Sequence, residues 1–338
     1  MLIDCDVHNE VPSTEALLPY LDAHWQEYVS RSAFKGPEDT AYPPGAPTTR
    51  RPGASEGSEL AQVRDEVLGE ELELAILTCV YGADSIHNPY LAAAMAGAVN
   101  DWQIENWLDG EPRVRGSVVV PAAQPELAAA EIDRVGAHPG FVQVLLPVRS
   151  NAPYGTRAFH PLYEAATRNG LAVALHFGGC PSVPPTASGW PSYYIEEHAG
   201  MATVFQTQLQ SLLVEGVFDR FPEFRLVLAE SGFAWLPAFL WRLDKEWKGL
   251  RREVPWMRRP PSAYVADSVR VTMQPLDCPL ELVPRVLDRL GSPELLLYSS
   301  DYPHGHLEPA GSVLSAVPAE LRAGVEAGNA RSFYGLGD

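Results

Sequence analysis

Eight short apolar, β-branched runs, each followed by a stretch with helical periodicity, are the feature that most restricts how this chain can fold. In order they read "LIDCDVH", "LELAILTCV", "RVRGSVVV", "GFVQVLLP", "LAVALHF", "FRLVLAE", "SVRVTMQ" and "ELLLYSSD". Helical segments such as "PYLAAAMAGAVNDWQIENWL" and "PELAAAEIDRVGA" lie between them, the second opened by a proline suited to a first helical position. Eight β/α alternations predict an α/β protein, a single (β/α)8 TIM barrel spanning 1–338. The rival is an open doubly wound sheet, but no GxGxxG or GxxxxGK[ST] follows any strand. With 46% hydrophobic and 20% charged residues, the chain can bury a core of that size.

The first strand contains what an ordinary strand avoids. Asp4, Asp6 and His8 alternate there, so period two places two carboxylates and an imidazole on one face. His176 ends strand five, Glu230 strand six and Asp301 strand eight. All are metal-ligand types, and the C-terminal strand ends of a barrel converge on one mouth. Asp6 and His8 are then tolerated because they help to hold a divalent metal.

Two connections are long: "SRSAFKGPEDTAYPPGAPTTRRPGASEGSE", an insertion at about 30–60 after strand one, and "GGCPSVPPTASGWPSYY" after strand five. Both would rise from the catalytic face. A net charge of -18 argues against nucleic-acid or anionic-membrane partners, and no apolar run approaches the length of a bilayer span. The acidic start lacks the basic region of a signal peptide, and the four cysteines form no CxxC pair, so the expectation is a cytoplasmic protein with buried free thiols.

"DCDVH", "ALHFGG", "FPEFRLVLAESGFAWLP" and "SSDYPHG" together resemble the amidohydrolase-related family. Within it the chain is similar to the branch of aminocarboxymuconate-semialdehyde decarboxylase and the benzoate-type non-oxidative decarboxylases. The resemblance implies one divalent metal ion, zinc or manganese, held by Asp6, His8, His176 and Asp301, and implies a homodimer. Asp6 stands where that branch has a first histidine, and its extra carboxylate shifts preference toward Mn²⁺. Glu230 stands where the decarboxylases carry a catalytic histidine on strand six. A carboxyl raised by burial can serve as acid or base there; it can also ligate metal or orient a neighbour.

The expected activity is non-oxidative decarboxylation of a small unsaturated or aromatic carboxylic acid, with Glu230 or His304 as proton donor. The alternative is metal-dependent hydrolysis of an amide, lactone or related bond, with Asp301 taking a proton from water. A barrel that has lost its metal and serves only in binding is a third reading. Among the remaining polar residues, Asp4 is expected to be satisfied by an internal hydrogen bond or salt bridge, and His198 to lie on a solvated helix face. In "FAWLPAFLWRLDKEW" the aromatic residues read as barrel packing, with Arg242 and Asp244 paired at the polar edge.

Overall fold

The computed structural model describes residues 1–37, 59–179, 183–186 and 188–337. Each apolar run supplies a parallel strand: β1 (Leu2–Val7), β2 (Leu72–Leu77), β3 (Val114–Val119), β4 (Phe141–Arg149), β5 (Ala172–Gly179), β6 (Leu226–Ala229), β7 (Val269–Thr272) and β8 (Leu296–Leu297). They pair in chain order from β1 to β8. Closure comes from backbone bonds between the last segment and the first: Cys5 N donates to Tyr298 O, His8 N to Tyr302 O and Asp301 N to Asp6 O. The chain is therefore an α/β barrel.

Helices cover the outside for reasons visible in the sequence. Pro89–Gln103 begins with Asn88, whose side chain accepts from Tyr90 N and Leu91 N, and with proline at the first turn. Its buried Asn100 bonds both backbone groups of Val119, donating to the carbonyl at 2.8 Å and accepting from N–H at 2.9 Å, which pins the helix to β3. "PELAAAEIDRV" forms Pro125–Val135 as its pattern predicts. In the helix Leu236–Leu250, Leu236, Leu240 and Leu243 are buried, but Trp241 is 58% exposed. Asp244 accepts from the Ser262 backbone N–H and hydroxyl instead of pairing with Arg242, since residues two apart face different sides of a helix.

Inside the barrel, Ile3, Cys5, Ala172, Ala174, Val227 and Ala229 meet Phe333 and Tyr334 of the closing helix Asn329–Tyr334. That helix floors the N-terminal end, opposite the C-terminal strand ends. Tyr334 donates through its hydroxyl to Gln143 Oε1 at 2.8 Å, and Gln143 continues to Ser117 Oγ at 2.9 Å.

β1 departs from strict alternation. Ile3 and Cys5 belong to the inner cluster while Val7 packs outward, and the register with β2 is irregular between Asp4 and Val7. This bulge turns Asp6 and His8 inward and leaves Asp4 off their face, which corrects the expectation that all three share one. Asp4 Oδ1 accepts instead from the backbone N–H of Asp6 and of Ser300, at 3.2 and 2.9 Å.

The insertion at about 30–60 lies mostly outside the described residues, as does Cys180; Cys5, Cys79 and Cys278 are free thiols. Among the described residues no helix is long and apolar enough to cross a membrane.

Removing the Tyr334 hydroxyl strands the buried Gln143 carbonyl oxygen. Tyr334→Phe is expected to lower unfolding free energy by about 1–3 kcal/mol in denaturant titration, and an unchanged midpoint would refute the role of this contact.

Candidate active site

The four residues expected at the mouth converge there, each delivered differently. His8 follows β1 directly, and His176 projects inward from within β5, three residues before its end. Glu230 and Asp301 come after β6 and β8, and both adopt left-handed backbone, with φ of 56° and 55°. Non-glycine residues hold that conformation only where their surroundings enforce it, and such strain gathers at functional sites. β8 is shorter than its apolar run suggests, so Asp301 reaches the mouth on a loop.

Asp6 and Asp301 are fully buried, and His176, His8 and Glu230 nearly so. His8 Nε2 lies 3.0 Å from Asp301 Oδ1 and 3.9 Å from Asp6 Oδ1. His176 Nε2 lies 3.3 Å from Asp6 Oδ1, while its Nδ1 sits 2.8 Å from the Phe177 carbonyl and 3.7 Å from Glu230 Oε2. Asp301 Oδ1 and Oδ2 further meet His304 Nδ1 at 3.2 Å and His306 Nε2 at 2.8 Å.

These contacts show whether the site suits a cation. A carbonyl only accepts, so Nδ1 of His176 carries the proton given to Phe177, and the neutral ring turns its Nε2 lone pair on a carboxylate oxygen. That contact requires either a second proton on His176 or a cation beside both atoms. The other oxygen of Asp6 is buried with no hydrogen-bond partner, although Thr78 donates to Oδ1 at 2.7 Å. Ligand atoms of Asp6, His8 and His176 lie within 4.8 Å of one another, as do those of His8, Asp301 and His304. The expected ligand set thus falls into two overlapping groups that share His8, and both fit a divalent ion.

Electrostatics separates the acids. Burial, then the charge of Asp301, push the Glu230 carboxyl well above its ordinary value against the pull of His176. Burial would also raise Asp301, but bonds from His304, His306 and His8 outweigh it and hold that carboxyl well below the usual range. For His176, burial works against charge, yet Asp6 and Glu230 raise it to about 10. Asp4, just behind, is raised by burial to about 7.

The mouth opens into a cavity of about 460 Å³ lined by His8, His176, Glu230, His304, Tyr194 and Lys35, among others. A smaller chamber of about 70 Å³, walled by Val119, Val120, Leu145 and Pro147, adjoins it. His198 lines the main cavity, correcting the solvated placement expected of it. Sequence reasoning stopped at His304 and missed His306, whose signal was the second histidine of "DYPHGH". It also missed Thr78, which follows the β2 run without any distinguishing pattern.

Known proteins extend this description. The Amidohydrolase family pattern matches residues 3–336. Gamma-resorcylate decarboxylase of Polaromonas sp. is 24% identical over 254 residues, covering 71% of this chain and 76% of that protein. The crystal structure of 5-carboxyvanillate decarboxylase from Sphingomonas paucimobilis superposes with a TM-score of 0.73 at 22% identity, covering 99% of each chain. A dihydroxybenzoic acid decarboxylase from Polaromonas sp., solved with manganese and the inhibitor 2-nitroresorcinol, gives 0.71 at 21% identity, covering 99% of this chain and 97% of that one. With the pattern running through nearly every residue and the barrel shared end to end, the chain belongs to the amidohydrolase family.

Proposed function

We propose that this chain is a single-domain, metal-dependent carboxy-lyase, residues 1–338, that removes CO₂ without oxidation from a small aromatic carboxylic acid. The reading is carried by the buried Glu230 carboxyl, whose proton affinity burial and the charge of Asp301 raise, beside a cation-ready cluster in a cavity of about 460 Å³. That volume suits a single-ring acid. The relatives and structural neighbours named above are decarboxylases of such acids, one of them with manganese bound.

Asp6, His8, His176 and Asp301 would hold the ion, with manganese favoured over zinc by the carboxylates. A bound divalent ion supplies positive potential that neutralises substrate oxygens and steadies negative charge on the ring. The chain's own residues do the rest. Phe177 orients the His176 ring through Nδ1, and His304 and His306 fix the Asp301 carboxylate. Glu230 gives its proton to the ring carbon that bears the carboxylate. The ring's π electrons form the new C–H bond; the carbon–carbon bond then breaks, its electron pair restores the aromatic ring, and CO₂ leaves. Water returns a proton to Glu230, and the hydroxide left behind is taken up with CO₂ as bicarbonate.

His304 is the alternative donor, but its Nδ1 is turned toward Asp301. Hydrolysis would require Asp301 as a base, and three histidines already bond to it, which suits a permanently charged ligand better. Free thiols at Cys5, Cys79 and Cys278 suit a reducing compartment, so we place the enzyme in the cytoplasm. We assign it the homodimeric state that the resemblance implies and, at a net charge of -18, no nucleic-acid partner.

Two outcomes are expected. His176→Ala should remain folded by circular dichroism but lose most of its metal in elemental analysis; undiminished metal would remove His176 from the ligand set. Glu230→Gln should retain metal while CO₂ release falls by roughly two to four orders of magnitude. Because the donor must carry its proton, turnover in the parent enzyme should be level on the acid side and fall as pH rises through the raised Glu230 pKa. The variant should lack that fall. Near-normal turnover in it would transfer the role to His304, and water addition to lactones or amides without CO₂ release would establish the hydrolase instead.

A further inference from the structure

His198 reaches the cavity from outside the barrel, on the helix Tyr194–Val214. Its position is built rather than incidental. The preceding residue, Glu197, makes a buried ion pair at 3.1 Å with Arg149 at the end of β4. Further along, Gln208 accepts from Tyr154 N at 2.9 Å and donates to the Val148 carbonyl at 2.8 Å, so the helix is tied twice to the barrel rim. The His198 ring stacks on Tyr194, with centroids 5.7 Å apart and planes at 22°, and meets Phe177 edge-on at 5.2 Å. Two aromatic rings therefore fix its orientation.

Its nitrogens differ. Nδ1 is closed off from solvent without a hydrogen-bond partner, and Nε2, which makes no bond among the described residues, remains accessible. A buried N–H without an acceptor is rarer and costlier than a buried lone pair, so a neutral ring keeps its proton on Nε2. Burial, then the charge of His306, lower its proton affinity, with His304 in the same sense and Asp301 and Glu197 opposing. The Tyr194 hydroxyl, on the ring stacked against His198, has its proton affinity raised by burial and then by the charges of Glu230 and Glu197. The His198 ring thus lines the cavity, held by packing, with an Nε2–H that no described residue accepts.

We propose that His198 is a substrate-contacting residue that donates a hydrogen bond from Nε2 to an oxygen of the aromatic acid, either a ring hydroxyl or the carboxylate. The ligand class rests on the decarboxylase reading; the free donor does not. A substrate oxygen then fills a hydrogen-bonding position that no described side chain occupies, and it lies on the wall contributed by the helix rather than by the strand ends.

The test is calorimetric binding of 2,6-dihydroxybenzoate, benzoate and resorcinol to the manganese-loaded protein, with His198→Phe and His198→Gln. Phenylalanine keeps the ring packing but removes the donor, whereas glutamine places an amide N–H near Nε2. Binding of dihydroxybenzoate should weaken about tenfold or more in His198→Phe and largely recover in His198→Gln. A parallel loss with benzoate assigns the contact to the carboxylate; a loss with resorcinol but not benzoate assigns it to a hydroxyl. The proposal is overturned if His198→Phe binds all three as the parent does, if both variants weaken equally, or if the parent binds none. CO₂ release is measured separately, so binding without turnover would count against decarboxylation while leaving the His198 contact standing.

Discussion

Three carboxylates, Asp6, Glu230 and Asp301, are buried together at one end of the barrel, and each would lose its hydration without gaining a full set of partners. Charge of that density is tolerated only with positive charge among the acids or protons upon them. At Asp301 three histidines outweigh burial and favour the anion, whereas at Glu230 burial and the charge of Asp301 outweigh the single pull of His176 and favour the protonated form. Asp6, with one oxygen 3.3 Å from His176 Nε2 and the other unpartnered, is the acid for which we propose that a cation does the compensating.

The fold serves this arrangement by fixing backbone positions that the acids would not choose alone. A bulge in β1 re-aims Asp6 and His8 from the sheet into the mouth. Left-handed backbone at Glu230 and Asp301 is held by neighbours: Glu230 N donates to Thr272 Oγ1 at 2.9 Å, and Asp301 N donates to the Asp6 carbonyl at 3.1 Å. The second bond links the backbone of one proposed ligand to that of another. At the opposite end, Phe333 and Tyr334 close the barrel, which separates the residues that hold the fold together from those that do chemistry.

Much of this was readable in the sequence, for identifiable reasons. Parallel strands buried on both faces give continuous apolar runs, so all eight could be located and the barrel inferred from their alternation with helices. His8, His176, Glu230 and Asp301 were found because polar residues at the ends of such runs are unusual. The bulge was not legible, since register depends on β2 and not on β1 alone, and so Asp4 was assigned to the wrong face. Left-handed φ at Glu230 and Asp301 carries no sequence signal without glycine. His198 was misplaced because helical periodicity identifies faces without saying which one meets a cavity, and His306 was passed over in a loop where no periodicity exists.

A divalent cation between them would resolve the conflict between Asp6 and His176. Anomalous diffraction from crystals grown with manganese tests it directly. One strong peak is expected within coordination distance, about 2.0–2.3 Å, of Asp6, His8 and His176 donor atoms, with Asp301 completing the protein ligands. Crystals that bind manganese elsewhere, or that leave Asp6 and His176 bridged only by a proton at saturating metal, would contradict it.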